Sequence, residues 1–344
     1  MEFGTNALPD PAPPSNDTRD WSALPLDAMY LVFTKLDLFD ILMGAGLVCH
    51  SWLEAAKVPS LWRCVDMAHH RIVEEKLISE ETDVLCAMAR LAVNRSGGQL
   101  KEFSEEKFLT VDLLKYIGDR SPSLKTLRLK HCYLGREGFA EAIKKFPLLE
   151  ELDLTHCNRV GNRMVSYDSI GKACPHLQIF RQVNEPSAFE EMIYFEYADR
   201  DSTRADAEAL GIASMPELRT LQLQRSNISN SGLTAILDGC PHLESLDVRQ
   251  CLCLKIDATM RARLTSLKSL RLPSEPTEDY KQEVIKMPGS DEFDASLRLW
   301  SKHFASSYSN FEESFDFEDL NESGDSMVLS SVSFMKGKTF LCTD

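Results

Sequence analysis

Leu124-Lys125-Thr126-Leu127-Arg128-Leu129-Lys130-His131-Cys132 is answered 25 residues later by Leu149-Glu150-Glu151-Leu152-Asp153-Leu154-Thr155-His156-Cys157. The same frame returns as Leu218-Arg219-Thr220-Leu221-Gln222-Leu223-Gln224-Arg225-Ser226. It returns again, 25 residues on, as Leu243-Glu244-Ser245-Leu246-Asp247-Val248-Arg249-Gln250-Cys251, and Leu267-Lys268-Ser269-Leu270-Arg271-Leu272 opens another after 24. A fixed period of this size marks a chain of stacked units, each too small to bury its apolar face alone. Inside each unit apolar and polar residues alternate, the pattern of a strand with one face in a core. Weaker copies stand at Leu100-Lys101-Glu102-Phe103, 24 residues before Leu124, and at Leu177-Gln178-Ile179-Phe180, where Gln182 takes the third apolar place. Trp62-Arg63-Cys64-Val65-Asp66-Met67 is the expected first strand. Between strands, Gly138 to Phe146 and Ser231 to Leu237 place apolar residues at helical spacing, ready to pack behind them.

The frame L-x-x-L-x-L-x-x-C resembles that of a leucine-rich repeat, and Cys174-Pro175 and Cys240-Pro241 precede their strands in the same register. The resemblance implies an α/β solenoid, a curved parallel sheet with helices outside, of about seven to eight repeats over residues 63–272. Leu127, Leu129, Leu152, Leu154, Leu221, Leu223 and Leu246 are expected to point inward. The residues between them face the concave surface. Arg128, Asp153, Gln222, Asp247 and Arg271 form one column there, and Lys130, Thr155, Gln224 and Arg249, two residues further on, form a second. These columns are the candidate substrate-binding residues. Cys132, Cys157 and Cys251 recur after the strand, where a small buried thiol fits. His131 and His156 share a column but show no third ligand, so a polar strand-end role is expected and no metal. The step from Leu177 to Leu218 is 41 residues. It contains an acidic, aromatic insertion near 184–206, readable either as a partner-contacting loop or as a locally packed excursion.

Upstream of the repeats, residues 21–62 read as three short helices. Pro25 suits a first helical turn and Asp27 the positive end of the helix dipole; Leu26, Met29, Val32, Phe33 and Leu36 then follow at three- and four-residue steps. Asp37 or Asp40 can cap a second helix running through Leu42, Ala45 and Val48, with Gly44 and Gly46 each lowering its intrinsic stability by roughly 1 kcal/mol. A third helix carries Trp52, Leu53 and Ala56 to the break at Pro59. So small a segment needs a partner surface to be stable.

Leu24-Pro25-x-Asp27, Val48-Cys49-x-x-Trp52 and Pro59-x-Leu61-Trp62, in that order, resemble the F-box, and the whole chain resembles a plant-type F-box/leucine-rich-repeat protein. The resemblance implies docking onto a Skp-type adaptor and, through it, a cullin scaffold in a Skp–cullin–F-box (SCF) ubiquitin ligase. A protein substrate would be held on the repeats. The family's adaptor contacts carry over onto Leu24, Pro25, Leu26, Val48, Cys49 and Trp52. Gly44 and Gly46, where longer side chains are commoner, and His50, where Arg or Lys is usual, depart from the pattern.

The remaining features narrow the function. A net charge of −15 argues against a general nucleic-acid surface. The longest apolar runs fall far short of a membrane span, and the start lacks the regions of a signal peptide, so a cytoplasmic and/or nuclear protein with free thiols is expected. The ten cysteines include no C-x-x-C pair, and no nucleophile, metalloprotease or phosphate-loop motif is present. A non-catalytic receptor with no cofactor is therefore expected, working by proximity. Residues 1–20, rich in Pro, read as a disordered leader. Residues 273–344 carry 15 acidic and 6 basic side chains and read as a largely flexible acidic tail, in which Leu297, Leu299, Trp300 and Phe304 can form a helix capping the last repeat. Two other readings of the architecture are a non-degradative binding scaffold, suggested by the glycines in the F-box, and a receptor that needs a small molecule to complete its substrate surface.

Overall fold

A computed structural model describes residues 21–132, 134–157, 167–184, 206 and 209–275. The leader, most of the insertion, the tail and its expected capping helix lie outside the described residues.

Eight strands, β1 (Cys64–Asp66), β2 (Glu102–Glu106), β3 (Thr126–Lys130), β4 (Glu151–Thr155), β5 (Ile179–Val183), β6 (Thr220–Gln224), β7 (Ser245–Asp247) and β8 (Ser269–Arg271), form one sheet in chain order. Every pairing is parallel, and the register aligns the repeat frame: Leu127 with Leu152, Leu152 with Phe180, Phe180 with Leu221, Leu221 with Leu246. Sequential parallel strands need a crossover, and the helices Val111–Arg120, Arg136–Ile143, Tyr167–Ala173, Asn230–Gly239 and Ala258–Leu264 supply it. The leucines expected inward are all at most 1% exposed. At about 1.5–3 kcal/mol each, their burial makes the stack the main source of stability. β5 pairs directly with β6, so the insertion leaves the sheet unbroken.

Two inward positions are not apolar. Gln182 fills its leucine position with no exposure; its Nε2 donates to Asn184 Oδ1 (3.0 Å) and its Oε1 meets no donor. Glu105 sits in register with Leu129, also with no exposure. The Phe108 N–H donates to its Oε2 (3.3 Å) and the Cys132 thiol to its Oε1. Burial pushes the Glu105 carboxyl well above the usual carboxylate range. A carboxyl raised in the folded state contributes stability that is full below its unfolded pKa of about 4.3 and is lost as pH rises through the folded value. Glu105→Gln, which cannot ionise, is expected to be the more stable chain at about pH 8, with the gap closing toward about pH 5. Urea denaturation of both chains across that range checks it; a gap that does not change with pH contradicts it.

At the N-terminus, α1 (Leu26–Phe33), α2 (Leu38–Met43) and α3 (His50–Ala56) fold around Met29, Phe33, Phe39, Ile41, Ala55 and Ala56. Asp37 is the cap of α2, accepting from Asp40 N–H at 2.7 Å. The sequence reading ran this helix through Val48; it stops at Met43, and a single 3-10 turn, Ala45–Leu47, follows Gly44. The glycines explain the difference. A Cβ on Gly46 would lie 2.6 Å from the Ile41 carbonyl oxygen, and one on Gly44 2.9 Å from that of Asp40. They are steric requirements of the tight turn that ends α2, which corrects their reading as soft spots. Gly46→Ala is expected to destabilise the chain by about 1–3 kcal/mol despite the better helix propensity of Ala. A urea midpoint equal to or above that of the natural chain contradicts this.

The small module is completed by the repeats, as its size requires. Trp62 is 2% exposed, donates from Nε1 to Ala56 O (2.8 Å) and lies under the Arg95 guanidinium at 5.2 Å. Phe39 stacks on His70 at 4.2 Å, and His70 Nε2 stands 3.4 Å from Asp37. Helices and sheet thus share one continuous core.

Candidate functional site

Two surfaces carry chemistry. On the first, α1 turns only part of its apolar stripe inward. Met29 and Phe33 are buried, whereas Leu26 is 50% and Val32 43% exposed. Of the thirteen exposed large apolar residues among those described, seven lie between Trp21 and Val48: Trp21, Leu26, Leu31, Val32, Met43, Leu47 and Val48. Such a concentration on one small module marks a protein-docking face. The six residues expected to contact an adaptor divide into two groups. Pro25, Leu26 and Val48 are exposed, while Leu24, Cys49 and Trp52 are half-buried. The Trp52 ring meets Phe33 edge-on at 5.7 Å, and its Nε1 donates to Trp21 O at 3.0 Å. Ser51 Oγ donates to Ser22 O at 2.9 Å. Trp52 and Ser51 therefore hold the segment Trp21–Ala23 against α3, next to the exposed Pro25 and Leu26.

The second surface is the concave face of the sheet, where the register brings Arg128, Asp153, Arg181, Gln222, Asp247 and Arg271 into one column. Arg128 grips Glu151 with two bonds, Nε to Oε1 (3.0 Å) and Nη2 to Oε2 (3.1 Å), and reaches Glu102 at 3.4 Å. Arg181 donates to the same Glu151. Burial acts to raise the Glu151 carboxyl, but the bonds from Arg128 and Arg181 outweigh it and leave it below the usual range. Asp247 follows the same pattern: burial raises it, and Arg249, which donates at 2.7 Å, and Gln224, at 2.9 Å, bring it down. Asp153 is 8% and Gln224 4% exposed; the Asp153 carboxylate accepts from the Thr155 N–H (3.0 Å) and hydroxyl (2.6 Å). Lys130 reaches the imidazole of His69 at 2.8 Å. Arg271 pairs with Glu275 at 3.3 Å.

All nine candidates stand on this side of the sheet, but Asp153 and Gln224 are buried there, which corrects their expected outward-facing role: they hold Thr155 and Asp247 rather than meet a partner. Sequence reasoning missed Glu151 and Arg181, the centre of the network. Arg181 had a signal in the repeat itself, since it lies in register with Asp153, whereas Glu151 aligns with Thr126 and Ile179 and could be found only as the residue two before Asp153 on the same strand. Charges held in register by such pairs present a defined pattern to a partner rather than a row of free side chains.

The buried thiols of the repeats are structural. Cys174 and Cys251 are pushed up to about 12 and Cys240 to about 11 by burial, and Cys132 is raised well above its ordinary value. Cys251 donates to Leu223 O at 2.8 Å and Cys157 to Leu129 O at 3.2 Å, tying each turn to the preceding strand. Thiols so raised are not nucleophiles at neutral pH. The His131 and His156 rings stack at 4.8 Å. Among the described residues, no group of three or more His, Cys, Asp or Glu side chains is placed to hold a metal ion, and no helix is long and apolar enough to cross a membrane.

A helical module with an exposed apolar face, built into the end of a repeat array with a polar concave face, defines an F-box receptor. Comparison with known proteins agrees. The F-box-like family model matches residues 21–68, and the model described as FBD-associated F-box protein At5g56370, LRR repeats, matches residues 191–286. The chain is 36% identical to putative F-box/LRR-repeat protein 22 of Arabidopsis thaliana, over 81% of this chain and 84% of that protein. It is 31% identical to the F-box protein SKIP19 of the same organism, over 92% of this chain and 100% of that protein. With putative F-box/LRR-repeat protein 23 of that organism it shares 37% identity over 75% of this chain, a match that spans 54% of the relative. The chain belongs to the F-box/LRR-repeat proteins.

Proposed function

We propose that this protein is the non-catalytic substrate receptor of a Skp–cullin–F-box ubiquitin ligase. The F-box docks a Skp-type adaptor through Pro25, Leu26 and Val48, with Leu24, Cys49 and Trp52 supporting them, and the adaptor joins the chain to a cullin. The concave columns hold the protein to be modified. The observation that carries this reading is the concentration of exposed apolar residues between Trp21 and Val48 on a module that shares its core with the first repeat. A rigid join matters because transfer by proximity depends on effective concentration, which falls when the link between two binding sites is loose. The fit of Gly44 and Gly46 to the turn that ends α2 supports a module folded for docking over a weakened one.

Reconstituted ubiquitin transfer tests the reading. A protein captured by the full-length chain is expected to be modified when adaptor, cullin and the remaining ligase components are supplied, and to remain bound but unmodified when the chain carries Leu26→Asp and Val48→Asp. Equal modification with and without an intact docking face contradicts it.

A further inference from the structure

The loop after β1 is pinned to the sheet and then touches the docking module. The Met67 N–H donates to Ser104 O on β2 (2.8 Å), and the Ala68 N–H donates to Asp66 Oδ1 (3.0 Å). His69 turns through the left-handed region (φ 56°) and sets its ring between Glu106, 2.9 Å from Nδ1, and Lys130 Nζ, 2.8 Å from Nε2. The next residue, His70, is thereby fixed in the frame of the repeats.

The His70 imidazole is used on three sides. Its Nδ1 accepts from the Ile72 N–H (3.2 Å) and caps the helix Arg71–Ile78. A ring that accepts at Nδ1 carries its proton on Nε2, and that nitrogen stands 3.4 Å from Asp37 Oδ2. The other oxygen of Asp37 caps α2 by accepting from the Asp40 N–H. The face of the ring lies on Phe39 of α2, with 18° between the two planes, and Phe39 is 2% exposed. A helix cap needs no ring, since Ser, Thr, Asp or Asn supplies the acceptor. The ring at His70 answers to Phe39 and Asp37 instead.

A separate attachment joins module and repeats at the 3-10 turn Pro59–Trp62, where Ser60 Oγ donates to Tyr30 Oη (3.1 Å) and Trp62 bonds Ala56 O. The chain runs straight on from this turn into β1, so by itself it is a pivot. An attachment on α2 removes the rotation that a pivot leaves.

We propose that His70 is a positioning residue: through Asp37 and Phe39 it fixes the angle between the docking module and the repeats, and so the direction in which a docked adaptor faces the concave columns. The inference rests on the receptor reading above. A fixed angle matters there because transfer by proximity is sensitive to geometry as well as to distance.

The test uses the full chain carrying spin labels on non-natural side chains at two exposed positions, Glu54 on α3 and Lys144 beside an outer helix of the repeats. Double electron–electron resonance is expected to give one narrow distance distribution for the natural chain. His70→Asn keeps an acceptor for the Ile72 N–H but loses the ring and the reach to Asp37. It should broaden the distribution by at least about 3 Å, a swing of roughly 10° on an arm of about 20 Å. Asp37→Asn keeps the α2 cap, removes the carboxylate and should broaden it less. The double variant should be no broader than His70→Asn, because both changes act through one contact. His242→Asn, at an exposed histidine of the later repeats, should leave the distribution unchanged. The thermal midpoint of His70→Asn should stay within about 4 °C of the natural chain, and its adaptor affinity within about two-fold, because Pro25, Leu26 and Val48 are untouched. An unchanged distribution in His70→Asn, or additive broadening in the double variant, overturns the proposal. So does a larger fall in stability or affinity, which would make His70 part of the general fold. Adaptor binding by the natural chain is scored separately: its absence would remove the receptor reading and leave the joint standing on the distances.

Discussion

Leu152→Asp is expected to unfold the middle of the array. Leu152 has no exposure and sits in register between Leu127 on one side and Phe180 on the other, so the new carboxylate faces apolar side chains with no donor in reach. Removing the leucine alone costs about 2–5 kcal/mol, and an unpaired buried charge adds several more. Together these rival the roughly 5–15 kcal/mol that holds a typical domain folded. In a solenoid each unit leans on its neighbours, so the damage should spread outward from β4 rather than strike every element equally. Hydrogen exchange is expected to show lost protection first in β3, β4 and β5, with α1 to α3 the last to follow. Lys144→Asp, at a position 65% exposed, is the matched control and should change stability by no more than about 0.5 kcal/mol. Uniform loss of protection along the chain would contradict the stacked-unit reading.

Leu26→Asp with Val48→Asp is expected to abolish adaptor docking while leaving the fold intact. The two side chains are 50% and 63% exposed, so charging them removes little from the core. Fully burying an exposed leucine or valine at a docking face is worth about 1.5–3 kcal/mol, and a charge in place of either is worse than truncation. A loss of at least about 100-fold in affinity follows. Trp52→Ala could not make this distinction. Its ring packs on Phe33 and its Nε1 holds Trp21 O, so its removal would loosen the module itself, and any loss of docking would be ambiguous. Thermal unfolding of the double variant within a few degrees of the natural chain, together with the affinity, separates contact from stability.

The repeats were legible because a strand-plus-helix unit must place its leucines at fixed intervals, and the interval survives even where single positions are altered. The inward leucines, the outward columns, the parallel order and the helices behind the sheet follow from that period. Exceptions within the period were not legible. Glu105 occupies a leucine position and reads from sequence as an ordinary strand acid; only its partners, Cys132 and the Phe108 N–H, make its burial tolerable. Gln182 was seen to replace an apolar residue, but its full burial depends on Leu223 and the strands around it. Helix propensity read Gly44 and Gly46 as weaknesses, because propensity describes a helix interior, whereas both glycines stand in the tight turn that ends α2, where the Asp40 and Ile41 carbonyls of that helix exclude a Cβ. On α1 the apolar stripe was clear, but periodicity could not say that Leu26 and Val32 would be left facing outward. His131 and His156 stand just past their strands, as their shared column implied, while the left-handed backbone at both lies beyond any composition or spacing signal.

The central claim is that the face formed by Pro25, Leu26 and Val48 fixes this chain to a Skp-type adaptor. The most direct measurement is the binding of the purified full-length chain to that adaptor by isothermal titration, run beside the Leu26→Asp/Val48→Asp chain. A one-to-one complex with the natural chain that is lost in the folded double variant is the expected result. No detectable binding of the natural chain at micromolar concentrations, or equal binding by both chains, would contradict it.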